Sequence, residues 1–175
     1  MQDILIVVDM QNDFIDGALG TPEAVAIVPK VVEKIRGFNG KVFFTRDTHS
    51  ENYLETQEGR LLPVPHCIKD TPGWLIRPEI DALRETTVVD KPGFGSIDLA
   101  EQLYKLNMRE PISSITFIGL CTDICVIVNA LTVKAALTEV PLIVDASCCA
   151  GVTPQSHKNA LEAMKVCQIK VINEE

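Results

Sequence analysis

Three residue types that together can break an amide bond stand at the ends of apolar runs in this chain. Asp9 closes Ile4–Val8 (ILIVV), Lys91 follows Thr86–Val89 (TTVV), and Cys125 comes soon after Ser114–Ile118 (SITFI). A cysteine attacks as its thiolate, which a neighbouring ammonium and the N–H groups of a helix start both favour. A carboxylate alongside can accept the thiol proton. The spacing predicts a helix from Asp123 to Leu137, with Cys125 in its first turn and its thiol pKa lowered there. The N–H groups of Cys121 and Cys125 at that helix start could hold an oxyanion. The plainer alternative is a core cysteine, an aspartate capping a turn and a surface lysine. Cys121, one turn from Cys125, could form a redox pair with it, but a backbone contribution is the preferred role.

A second cluster follows the run Lys41–Thr45 (KVFFT). Asp47 and His49 form a D-x-H at its end, and His66 comes later in the same long polar stretch, about residues 47 to 80. A loop of that length usually carries function. Two histidines and a carboxylate can coordinate a divalent metal through N and O atoms and leave positions open for water or substrate. Glu58 lies between them as a fourth possible ligand. The remaining histidine, His157, falls in the last helix and reads as solvated surface.

These residues must be positioned by alternating strands and helices. Val25 to Phe38 has helical spacing, with Thr21 as N-cap and Pro22 at the first helical position. Ser96 caps a helix to Leu106, and Thr153-Pro154 opens one to about Val166. Pro141–Val144 (PLIV) and Ile169–Ile172 complete the strands, with Asp145 at the end of the fifth. Strands apolar on both faces and alternating with helices make a parallel sheet covered on both sides. The expected architecture is α/β: one domain over 1–175, a three-layer α/β/α sandwich around a parallel six-stranded sheet. Ligands of such sheets bind beyond the carboxyl ends of the strands. Asp9, Asp47, His49, Lys91, Cys121, Cys125 and Asp145 are all expected at that edge.

The net charge of −8 and pI of about 4.9 repel phosphate backbones and anionic lipids, so neither a nucleic acid nor a membrane is expected as partner. No apolar run approaches a membrane span and the first residues lack a basic leader, so a cytoplasmic location is expected. No two of the six cysteines have C-x-x-C spacing. Cys148, Cys149 and Cys167 read as small buried hydrophobes.

The segments VVDMQNDF, TRDTH, PHC followed by TPGW, KPGFGS and IGLCTDICV resemble, in order and spacing, the isochorismatase-like cysteine hydrolase superfamily. The resemblance runs from residue 4 to about residue 152. It implies that Asp9, Lys91 and Cys125 form the catalytic triad and that the Leu120–Cys121 peptide is cis. The D-x-H with a later His is similar to the nicotinamidase branch. There a divalent metal, usually zinc, binds the pyridine nitrogen of nicotinamide. The resemblance implies Asp47, His49 and His66 as metal ligands, with Glu58 as an extra one. Metal-free relatives cleave N-carbamoyl or ureido compounds instead. Two positions depart from that branch: no aromatic residue directly precedes His66, and Thr48 stands where Trp is frequent. Phe14 and Trp74 are expected to supply the aromatic wall. The implied partner is a small amide substrate, in a homo-oligomeric enzyme.

Overall fold

The computed structural model describes residues 1–174. In chain order the elements are β1 (Gln2–Val8), α1 (Asn12–Ile15), α2 (Pro22–Gly37), β2 (Lys41–Asp47), α3 (Gln57–Leu61), α4 (Pro78–Asp81), β3 (Val88–Lys91), α5 (Ile97–Arg109), β4 (Ile112–Leu120), α6 (Ile127–Ala136), β5 (Leu142–Ala150), α7 (Pro154–Val166) and β6 (Lys170–Ile172). The strands form one parallel sheet in the order β3-β2-β1-β4-β5-β6. The chain leaves β1 toward one edge and returns through β4 toward the other. The C-terminal ends of β1 and β4 therefore flank the point where the strand order reverses, where open α/β sheets make their binding crevice.

Both faces of the sheet are buried, as the unbroken apolar runs require. On β1, Ile4, Ile6 and Val8 join a core with Leu99 and Leu103 of α5, Ala130 and Val133 of α6, and Leu161 and Met164 of α7. Leu5 and Val7 alternate to the other face and meet Ile27, Val31 and Ile35 of α2 and Ile80 of α4. The helix starts follow the expected chemistry. Thr21 Oγ1 accepts the Ala24 N–H at 3.0 Å, Ser96 Oγ accepts the Leu99 N–H at 3.0 Å, and Thr153 and Ser156 form a reciprocal capping box. Among the described residues no helix is long and apolar enough to cross a membrane.

Several boundaries differ from expectation. Lys91 is the last residue of β3 rather than a loop residue, and the helix after β4 opens with a wider π turn, Thr122–Val126. The fifth strand runs on to Ala150, so Asp145 lies in mid-strand and not at the functional edge. A register shift between Phe117 and Gly119 carries β5 past Asp145, so that Cys149 and not Asp145 pairs beside Gly119. Asp145 bonds Lys34 of α2 at 2.7 Å, Ser147 at 2.8 Å and Asn173 at 3.0 Å, which ties the last strand to the outer layer. Cys148 and Cys149 are buried as expected, but Cys167 is exposed because it falls just past the end of α7.

Candidate active site

Asp9 follows β1 directly and has left-handed backbone, φ 47°. That conformation is uncommon outside glycine and marks a position held by its surroundings. Thr45 of β2 supports it, its hydroxyl donating to Asp9 Oδ1 at 2.6 Å. The Leu120–Cys121 peptide is cis, and Gly119 before it has φ 117°. A side chain at Gly119 would run into the Val8 carbonyl, so glycine lets β4 close on β1 where the two functional strand ends meet.

Lys91 reaches across from β3 and is 1% exposed. Its Nζ lies 2.6 Å from Asp9 Oδ2, 3.4 Å from Cys125 Sγ and 3.5 Å from Asp47 Oδ1. One buried ammonium therefore touches the thiol, the carboxylate beside it and the first of the second cluster. Burial works against the Lys91 charge. The carboxylates of Asp9 and Asp47 outweigh it and hold the amine protonated well above the usual lysine range. Burial pushes the Asp9 carboxyl above its ordinary value, and the Lys91 ammonium opposes that.

The Cys125 thiol is not lowered. It is pushed well above the ordinary thiol range, first by burial and then by the Asp9 charge, with Lys91 opposing. Helix-start and ammonium effects were expected to win here. They do not, because Cys125 is only 3% exposed and its sulfur has lost its solvation. Asp9 and the thiol meet at the same Lys91 ammonium, 2.6 Å and 3.4 Å from it, which sets the carboxylate beside the sulfur whose proton it would receive. The Cys121 carbonyl accepts from the N–H groups of Ile124 at 3.1 Å and Val126 at 3.0 Å. The Cys125 N–H falls between these two and is left outside that pattern.

Asp47, His49, Glu58 and His66 converge as expected, each offering an atom within 4.8 Å of the others. His49 Nε2 is 2.9 Å from Asp47 Oδ2 and 3.6 Å from Glu58 Oε1. His66 Nε2 is 3.6 Å and 3.5 Å from the same two oxygens. Ligands about 2.0–2.1 Å from a tetrahedral zinc stand about 3.3 Å apart, so all these separations but the shortest already suit such an ion. His66 Nδ1 bonds the Val64 carbonyl at 2.8 Å, which fixes the proton on Nδ1 and turns the Nε2 lone pair into the cluster. Burial disfavours the Asp47 charge, but bonds from His49 and His66 and the Lys91 charge hold its carboxyl well below the usual range. Burial and the nearby Asp47 charge push Glu58 up, and the Asp47 and Val64 bonds raise His66 against its burial.

The aromatic residues are placed differently from each other. The Phe14 ring lies 5.5 Å from the His66 ring, beside the cluster. One face of Trp74 is covered by the Arg46 guanidinium at 3.4 Å, and its Nε1 donates to Thr48 Oγ1 at 2.9 Å. Tyr53, unremarked in the sequence, packs edge-on against His49 and His66 at 4.8 and 5.0 Å.

Other supports also escaped sequence reasoning. Gln11, Thr45 and Asn129 are buried polar residues, and nothing local in the sequence distinguishes them from capping or surface groups. Asp13 Oδ2 accepts the Cys67 N–H at 2.8 Å and so steadies the residue after His66. His157 is half-buried rather than solvated, its Nδ1 lying 2.7 Å from Thr122 Oγ1. The short segment from Gly151 to α7 folds it back against the start of the π turn.

Comparison with known proteins identifies the family. Residues 3–175 match the Isochorismatase domain. The chain is 26% identical over 184 residues to the nicotinamidase/pyrazinamidase of Mycobacterium tuberculosis, covering 96% of this chain and 97% of that protein. The pyrazinamidase of Pyrococcus horikoshii, solved in complex with zinc, is 28% identical with a TM-score of 0.78, covering 99% of this chain and 100% of the other. The nicotinamidase/pyrazinamidase of Bacillus subtilis is 27% identical with a TM-score of 0.83, covering 98% and 99%. Matched over nearly its whole length, with a thiol, a carboxylate and a lysine gathered where its strand order reverses, the chain belongs to the isochorismatase family of hydrolases.

Proposed function

We propose that this hydrolase converts nicotinamide to nicotinate and ammonia through a thioester on Cys125. The observation that carries the reading is Lys91, whose Nζ stands 2.6 Å from Asp9 and 3.4 Å from Cys125 while also reaching Asp47 of the four-ligand cluster at 3.5 Å. A hydrolytic triad and a metal-type site thus share one buried ammonium, and a small ring bearing a carboxamide would span them.

In this mechanism Asp9 takes the proton of Cys125 and the sulfur attacks the carboxamide carbon. Because the resting thiol is protonated, this transfer belongs to the attack itself. The developing oxyanion accepts the N–H groups of Cys121 and Cys125. The tetrahedral adduct collapses by breaking its C–N bond, and Asp9 returns the proton to the leaving nitrogen, releasing ammonia. Water then attacks the thioester carbon while Asp9 accepts its proton. The C–S bond breaks, the proton on Asp9 passes to the Cys125 sulfur, and nicotinic acid leaves and gives up its carboxyl proton to water as nicotinate. Lys91 keeps Asp9 oriented and compensates the negative charge that moves between oxygen and sulfur.

Asp47, His49, Glu58 and His66 would hold a divalent metal, zinc by donor type and spacing. When bound, such an ion supplies a Lewis-acidic contact for a pyridine nitrogen. Phe14, beside His66, is the aromatic residue best placed to flank the ring. The reading also takes the enzyme to be a cytoplasmic homo-oligomer. Ammonia release across nicotinamide, pyrazinamide, benzamide and N-carbamoyl compounds, with metal content measured on the same preparation, tests it. Turnover of both pyridine- and pyrazine-type amides far above benzamide is expected. Preference for an N-carbamoyl substrate by a metal-free protein would replace it with the ureido-type reaction.

A further inference from the structure

A buried amide one helical turn after the candidate nucleophile is not accounted for by the chemistry above. Asn129 in α6 is fully buried. Its Nδ2 donates to the Cys125 carbonyl at 2.8 Å and to the Phe94 carbonyl at 3.0 Å, and its Oδ1 accepts the Ser96 N–H at 2.9 Å. The other buried positions of α6 are apolar, Ala130 and Val133. A buried amide costs stability unless its bonds are made, and when made they fix one arrangement of the groups they join.

The groups joined are the nucleophile's own backbone and the segment Lys91–Ser96 (KPGFGS), which carries the lysine. Both ends of that segment are buried, Lys91 at one and the helix cap Ser96 at the other, while Pro92 and Phe94 between them are exposed. It contains two glycines, Gly93 and Gly95, and its large apolar residues face outward: Phe94 is 46% exposed and the following Ile97 75%. Gly95 lies so close to α6 that a side chain there would meet Val128. Lys91 Nζ in turn donates to the Gly93 carbonyl at 2.9 Å, so the ammonium is held by the same loop that Asn129 ties down.

We propose that Asn129 is a positioning residue for this site: by tying the Lys91 loop to the Cys125 carbonyl it sets the separation between the Lys91 ammonium and the Cys125 sulfur. It touches neither substrate nor the reacting atoms. The inference rests on the assignment of Lys91 and Cys125 to the reaction, but not on which amide is cleaved.

The test is a double-mutant cycle on the reactivity of Cys125 itself. Carboxamidomethylation by iodoacetamide is followed on the Cys125 peptide by mass spectrometry in the wild type, Asn129→Ala, Asn129→Asp, Lys91→Ala and the two double variants. Asn129→Asp is isosteric and keeps an acceptor for Ser96, so it carries the cycle should Asn129→Ala not fold. Each Asn129 substitution is expected to slow Cys125 about tenfold, the effect of one pKa unit in the thiol. Neither should slow it further once Lys91 is gone. Equal or faster alkylation in the single variants overturns the proposal. So does the same slowing with and without Lys91, which is what a merely structural role would give. On nicotinamide, kcat should fall with KM and metal content unchanged. A chain inert toward nicotinamide but showing the coupled alkylation would refute the substrate and keep Asn129. Normal nicotinamide turnover in both Asn129 variants would do the reverse.

Discussion

Gln11 holds Asp47 by both of its backbone groups. Its Oε1 accepts the Asp47 N–H at 2.7 Å and its Nε2 donates to the Asp47 carbonyl at 2.8 Å. The same Nε2 donates to the Trp74 carbonyl at 2.8 Å. One buried side chain beyond β1 thus fixes the end of β2, which carries the first residue of the metal-type cluster, and pins the segment that returns past it.

Gln11→Ala should therefore affect the metal cluster without touching it. It leaves a buried N–H and two buried carbonyls without this partner, each worth about 1–3 kcal/mol. A drop of several degrees in Tm is expected, with zinc affinity weakened about tenfold, the usual effect of losing a group that orients a ligand. Isothermal titration with zinc and a thermal melt check both. Unchanged zinc affinity in a folded variant would show that Asp47 needs no such clamp.

Thr45→Val removes the hydroxyl that bonds Asp9 Oδ1 at 2.6 Å while keeping the shape of the side chain. That bond favours the carboxylate and lowers the Asp9 pKa against the burial that raises it. Its loss leaves Asp9 protonated to higher pH, so the acid limb of the kcat/KM profile should move upward. A profile that moves downward or stays in place would separate Thr45 from the state of Asp9.

Several buried or half-buried thiols predict a loss of stability in alkali. Burial pushes Cys121 up to about 12, with the Asp123 charge adding to it, and pushes Cys67 and Cys149 higher still. Each folded thiol keeps its proton where the unfolded one, with a pKa of about 8.5, has lost it. The stabilisation is complete below that value and is lost as pH rises through the folded values. Melts under reducing conditions should show Tm falling steadily above about pH 9. A flat Tm to pH 11 would mean that these thiols ionise without unfolding.

Metal removal should act on binding more than on chemistry. If the four-ligand cluster orients the substrate ring, chelation or His49→Ala raises KM while kcat changes little. Added zinc should raise the Tm of the wild type by linkage, and His66→Ala should lose that response. Normal turnover in fully chelated protein would remove the metal from the reaction.

The residues best legible in the sequence were those whose chemistry is odd for their place. Asp9, Lys91 and Cys125 stand at strand ends, where apolar continuation would be the default, and the D-x-H with a later His is too polar for a connector. The fold follows from strands apolar on both faces, and all six are present in one parallel sheet. What stayed hidden depends on long-range partners. Asp145 read as an edge residue because a turn was expected after Val144, yet β5 continues through small residues and a register shift. His157 read as surface because nothing local reveals that α7 folds back onto Thr122. The raised Cys125 thiol was missed because local sequence shows the helix start and the lysine but not the complete burial of the sulfur. Gln11, Thr45 and Asn129 look like ordinary polar residues until the strand ends they join are brought together.

The most direct test of the central assignment is covalent. Wild-type protein incubated with nicotinamide and quenched in acid during turnover should carry a nicotinoyl group on the Cys125 peptide, seen by mass spectrometry. Cys125→Ala should carry none and release no ammonia while melting like the wild type. Ammonia release by a folded Cys125→Ala variant, or an acyl group found on another cysteine, would contradict Cys125 as the nucleophile.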